Sequence, residues 1–108
     1  MKEASTLNKR KRRPTHPGAM LREIVLPGTG MSQGEFAGWL GVSRRTVNEL
    51  LQERRPVTVD MAHRLARALK TSPEVWLRMQ QAVDVWDTLQ RHHHHYAKIK
   101  TIRRNTAA

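Results

Sequence analysis

Arg44, Arg45, Thr46, Asn48 and Glu49 place two guanidiniums, a hydroxyl, an amide and a carboxylate within six consecutive positions. Each group has a partner on the base edges that DNA exposes in its major groove. Arginine pairs bidentately with guanine, threonine meets a thymine methyl or a phosphate, asparagine serves adenine, and glutamate accepts from the cytosine amino group. That chemistry needs the side chains on the outer side of one helix that fits the groove. Val47, Leu50 and Leu51 interleave with them at helical spacing, so the same stretch carries an apolar side by which it is held to a body.

The elements that must hold such a helix are legible on either side. Ser32-Gln33-Gly34-Glu35 is a capping box, in which Ser32 accepts from an amide three residues on and Glu35 reaches back. Phe36, Ala37 and Leu40 then form an apolar face, and Gly41 stands where a left-handed residue ends a helix. Only Val42 separates it from Ser43, a second N-cap residue, so Ser32 to Leu51 reads as a helix-turn-helix. Before it, Thr15-His16-Pro17-Gly18 sets a proline at a first helical position, and Met20, Leu21, Ile24 and Val25 predict a first helix ending by Pro27-Gly28. After it, Pro56 stops the third helix. Thr58 caps a fourth with Met61, Leu65, Ala66 and Leu69 inward and Lys70 at its C-terminal end, and Ser72-Pro73-Glu74 starts a fifth. The expected fold is all-α, with five helices and no strand required.

The 108 residues suffice for one small core. Cysteine is absent, which excludes disulfides and thiolate metal sites and agrees with a reducing cytoplasm. No run approaches the roughly 18 apolar residues of a membrane span, and residues 1–13 lack the apolar stretch of a signal peptide, so a soluble cytoplasmic protein is expected. The net charge of +11 is uneven: residues 1–13 hold six Lys/Arg against one acid, residues 91–108 hold five against none, and residues 14–90 hold nine against eight. Basic excess of this kind is the footprint of a polyanion, because neutralising phosphates releases counterions. Charge alone leaves two solvated tails as the alternative. The expected organisation is a mobile basic arm over 1–13, a helical domain over 14–90 whose C-terminal dimerisation helix spans 73–90, and a basic, histidine-containing tail over 91–108.

The stretches Pro14-Thr15-His16-Pro17-Gly18, Leu40-Gly41-Val42-Ser43-Arg44, Ala66-Arg67-Ala68-Leu69 and Thr71-Ser72-Pro73-Glu74, then Trp76-Leu77, follow in an order that resembles the lambda-repressor-like (Xre-type) helix-turn-helix proteins. They are more closely similar to the HigA/VapI-type antitoxins, and the likeness covers about residues 14–90. It implies a homodimer on a palindromic operator near its own promoter, and a cognate toxin, usually a ribosome-dependent mRNA endonuclease of HigB type, which it neutralises. The alternative is a stand-alone Xre-type repressor with no toxin partner. By position, Gln33 matches a glutamine that contacts the DNA backbone, while Arg44, Arg45 and Thr46 match the readers of bases. Ser43, Arg54 and Arg55 join Gln33 as expected phosphate contacts. Asn48-Glu49 and Gln52-Glu53-Arg54 depart from the family's common residues, so the operator sequence does not transfer. Charge departs too, since many such antitoxins are acidic.

On the fifth helix Trp76, Met79, Val83 and Trp86 form an apolar stripe that serves either the core or, as favoured here, a two-fold interface. Trp39 lies at the edge of its helix's apolar face, either packed against the first helix and the His16-Pro17 entry or anchoring an interface. His92-His93-His94-His95 offers imidazoles, but neighbours on a helix point in different directions, and a polar helix end is expected rather than a metal site. Tyr96 to Ile102 alternates like a short strand, with disorder expected in the free chain. No nucleophile elbow, glycine-rich loop or paired carboxylate occurs, so neither enzyme activity nor a cofactor is expected.

Overall fold

The computed structural model describes residues 11–103, and every regular element among them is a helix. α1 occupies residues 17–29 as an α-helical turn Pro17–Met20, a π-helical stretch Leu21–Val25 and a second turn Leu26–Thr29. α2 (Gln33–Leu40), α3 (Arg44–Leu51), α4 (Val59–Leu69) and α5 (Pro73–Ala97) follow. Four of the five begin on the hydroxyl caps expected of them. Ser32 accepts from the Glu35 amide at 3.1 Å while Glu35 accepts from the Ser32 amide at 2.9 Å. Ser43, Thr58 and Ser72 cap α3, α4 and α5 in the same way, each accepting the amide three residues on.

α1 begins on an imidazole instead, with His16 Nδ1 accepting from the Gly18 amide at 2.8 Å. Burial pushes the His16 pKa down, which favours the neutral ring whose Nδ1 lone pair this cap requires. Inside α1 the Leu26 amide donates to Leu21, five residues back, and Pro27 has no amide to donate at all. The wider turn shifts the inward face. Leu21 is buried, but Ile24 is 62% exposed and leaves the expected apolar stripe.

The core gathers Leu21 from α1, Phe36, Ala37 and Leu40 from α2, Val47, Leu50 and Leu51 from α3, Met61, Ala62 and Leu65 from α4, and Trp76 from α5. α2 packs on α3 and α4, α4 on α5, and α1 on both α3 and α5. Gly18 is the tightest point of this arrangement, because a methyl group there would collide with the Leu50 carbonyl oxygen.

Several boundaries differ from those expected. α1 continues past Pro27-Gly28 to Thr29, with Gly30 left-handed at φ 71°. α3 ends at Leu51, well before Pro56, and Glu53 stands at φ 61°. α5 runs on through the histidines to Ala97, since no glycine or proline follows Pro73 to stop it and each further residue adds a backbone hydrogen bond. Tyr96 and Ala97 are therefore helical where disorder was expected, residues 99–103 have no regular structure, and no strand forms over Tyr96 to Ile102. Trp39 is 71% exposed rather than packed under α1, because Phe36, Ala37 and Leu40 already fill the inward face of α2. Trp76 and Val83 are 4% and 1% exposed, so their side chains are spent inside the protomer, while Met79 and Trp86 are only half-buried. The basic arm falls largely outside the described residues, but Arg13 does not belong to it, as its contacts below establish.

Gly18→Ala is expected to destabilise the fold by about 2 kcal/mol or more, since α1 must move off α3 to admit the methyl group. Urea unfolding of the two proteins measures this, and equal midpoints would show that the contact at Leu50 gives freely.

Candidate nucleic-acid interface

α3 is an eight-residue helix with its two faces sharply divided. Val47, Leu50 and Leu51 are buried, while Arg44 and Arg45 stand in its first turn in solvent. Gly41, left-handed at φ 71°, sets the turn from α2, and Arg64 of α4 closes the end of α2 by donating to the carbonyls of Leu40 and Gly41 at 2.9 and 3.2 Å. The sequence-predicted residues then separate into those left open and those tied to one another. Arg44 and Arg54 are exposed and take no part in the ion pairs among the described residues. Ser43 and Thr46 share a hydroxyl–hydroxyl hydrogen bond of 2.9 Å, which leaves the Thr46 methyl as its freer group.

Asn48 Nδ2 donates to Gln33 Oε1 at 3.1 Å, joining the start of α2 to the middle of α3. Gln33 keeps its amide donors and Asn48 its carbonyl oxygen for a ligand. Glu49 accepts from Arg55 at 2.7 Å and from Arg45, one turn back, at 3.2 Å. These two guanidiniums, Arg55 foremost, hold its carboxyl below the usual range. Glu49 is therefore bound up with cations, and its nearest effect is to aim Arg45 and Arg55. The fold thus forms two groups, Gln33 with Asn48, and Arg45 and Arg55 with Glu49. Met79 and Trp86 lie apart from them on α5.

A second cluster behind α3 escaped the sequence reading. Arg13 donates to both oxygens of Asp87 on α5 at 2.8 Å and to Glu53 Oε1 at 2.9 Å. Glu53 Oε2 also takes Arg22 at 3.4 Å, and Arg22 caps α3 by donating to the Leu51 carbonyl at 2.7 Å. The left-handed backbone at Glu53 costs about 1–2 kcal/mol, which these bonds offset. Hydrogen bonds from Arg13 hold the Asp87 carboxyl below its ordinary value, and Asp87 and Glu53 raise the Arg13 guanidinium in turn. Nothing local marks this cluster, because its partners stand 40 and 74 residues apart. The pair Asp60–Arg64, an i,i+4 spacing, was the one local hint of Arg64's role.

A short helix buttressed on one side and presenting cations from its first turn, joined to its neighbour at a glycine, defines a helix-turn-helix protein. Residues 5–78 match the family described as helix-turn-helix domain. Over 86 residues the chain is 41% identical to antitoxin HigA-1 of Vibrio cholerae, covering 80% of this chain and 81% of that one. It is 38% identical over 76 residues to the HTH-type transcriptional regulator YbaQ of Escherichia coli, covering 70% and 67%. Antitoxin GraA, solved in complex with its operator, superposes with a TM-score of 0.80 at 39% identity, covering 89% of this chain and 98% of its own. The chain belongs to the HigA/VapI-type antitoxins of the Xre helix-turn-helix family. The relatives are antitoxins and transcriptional regulators, not enzymes. No helix among the described residues is long and apolar enough to cross a membrane.

Because the folded Asp87 carboxyl sits below its unfolded value of 3.8, its contribution to stability is present above that pH and is lost as pH falls through the lower, folded value. Asp87→Asn is thus expected to unfold at lower urea than the native chain at pH 7. The two midpoints should converge as the pH falls below 3.8 and on through the lower, folded value, where the carboxyl becomes protonated. A gap that stays constant with pH would mean that Asp87 acts by packing alone.

Proposed function

We propose that the chain is a DNA-binding antitoxin that represses its own operon and neutralises a HigB-like mRNA endonuclease. Two copies place α3 in successive major grooves of a palindromic operator. The observation that carries the reading is the pair Arg44 and Arg45, exposed in the first turn of a helix whose other face is locked into the core. In this account both arginines read guanine, the Thr46 methyl meets thymine, and Asn48 reads through its carbonyl oxygen while anchored to Gln33. Glu49 keeps Arg45 and Arg55 in register, and Gln33, Ser43, Arg54 and Arg55 set the helix on phosphates. The dimer face falls to Met79 and Trp86 with exposed Val75, since Trp76 and Val83 are committed to the core.

A second reading, a stand-alone repressor, draws support from the likeness to YbaQ and from the net charge of +11. The two readings part at the neighbouring reading frame. Under the first, its expression arrests growth unless this chain is co-expressed and the two proteins co-purify. Growth unaffected by that frame would leave the repressor.

Arg44→Ala and Arg45→Ala are each expected to weaken operator binding by about 1–3 kcal/mol, or roughly 5- to 150-fold, and to spare nonspecific DNA. Equal losses on both DNAs in fluorescence anisotropy would sink base readout by these residues. Removing residues 1–12, which keeps Arg13 in place, should instead flatten the dependence of affinity on salt, as fewer counterions are released.

A further inference from the structure

The last two turns of α5 carry a feature that DNA reading does not use. Residues 91–97 are all exposed, and His92 is the one internal residue of α5 with non-helical backbone, at φ −124° and ψ 15°. His92 and His95 share a side of the helix, with ring centroids 5.8 Å apart at an interplanar angle of 62°. Tyr96 closes the same side, its ring 6.2 Å from that of His92. His93 and His94 are arranged differently. Their rings lie 3.9 Å apart and tilted over one another, and His93 Nδ1 faces the Gln90 carbonyl.

We propose that His92 and His95 form a two-imidazole chelate for a borderline divalent transition ion, such as zinc, nickel or copper. Imidazole nitrogen suits these ions, whereas magnesium and calcium require oxygen ligands. Metal–nitrogen bonds of about 2.0–2.1 Å at a tetrahedral ion place two imidazole centroids roughly 5 Å apart. His92 and His95 come within reach of that spacing by small side-chain rotations in open solvent. The stacked His93–His94 pair is too close and stays outside the chelate. Two protein ligands leave the remaining positions to water, so the site binds reversibly and does not hold the fold together. No group of three or more His, Asp or Glu side chains suited to a metal occurs among the described residues, which leaves this pair without a stronger competitor there.

Isothermal titration of zinc chloride or nickel chloride into the untagged full-length chain tests it. One ion per protomer is expected. His92→Ala and His95→Ala should each weaken binding by about tenfold or more, while the double variant His93→Ala/His94→Ala should leave it nearly unchanged. Imidazole nitrogen resonances in NMR should shift at His92 and His95 first. Losses that follow the number of histidines removed, whichever they are, would overturn the chelate in favour of a nonspecific polyhistidine run. So would the absence of saturable binding in the native chain. Unaltered helicity by circular dichroism confirms that each variant is folded.

Discussion

A helix of eight residues does not persist alone in water, since nucleation costs more than so few hydrogen bonds return. α3 exists because Val47, Leu50 and Leu51 are buried in the shared core, with α1 and α2 packed against the helix, and the rest of the molecule is arranged around that burial. Its start is capped by Ser43, its end by Arg22, and its inner side meets α1 so closely that residue 18 has to be glycine. Once one face is committed in this way, the other is presented outward with little freedom to turn. Arg44 and Arg45 therefore project into solvent from a fixed direction, and such pre-organisation is what the proposed groove reading requires of its scaffold.

Electrostatics divides along the same lines. The body is nearly neutral because its acids are placed as counter-ions: Glu49 holds Arg45 and Arg55, while Glu53 and Asp87 hold Arg13. Under the proposed reading, specific attraction is left to a few cations on α3; the excess charge sits in the two ends of the chain. The clasp at Arg13 links the segment before α1, the end of α3 and the middle of α5. It therefore ties the end of α3 to α5, the helix proposed to pair two copies.

What was legible beforehand was what depends on near neighbours. Ser32, Ser43, Thr58 and Ser72 were readable as caps because a cap acts on an amide three residues away. Gly41 was readable because few residues other than glycine accept its backbone angle cheaply. His16 was missed as a cap because imidazole is not among the usual capping groups, and its role depends on burial that only the packed fold supplies. The bridges Asn48–Gln33 and Arg13–Asp87 join residues 15 and 74 apart, where spacing carries no signal. Apolar periodicity misled in two places. It put Ile24 inside a helix whose π turn rotates it out, and it ended α5 where its stripe stopped rather than where its backbone does.

The central claim is that α3 reads base edges in two successive major grooves, and methylation interference on the promoter DNA upstream of the chain's own gene tests it most directly. Methyl groups on guanine N7 should block binding at two clusters about one helical turn, roughly 10 base pairs, apart, one for each α3. Binding that tolerates N7 methylation everywhere, while phosphate ethylation still abolishes it, would contradict the account and reduce α3 to a contact with the backbone.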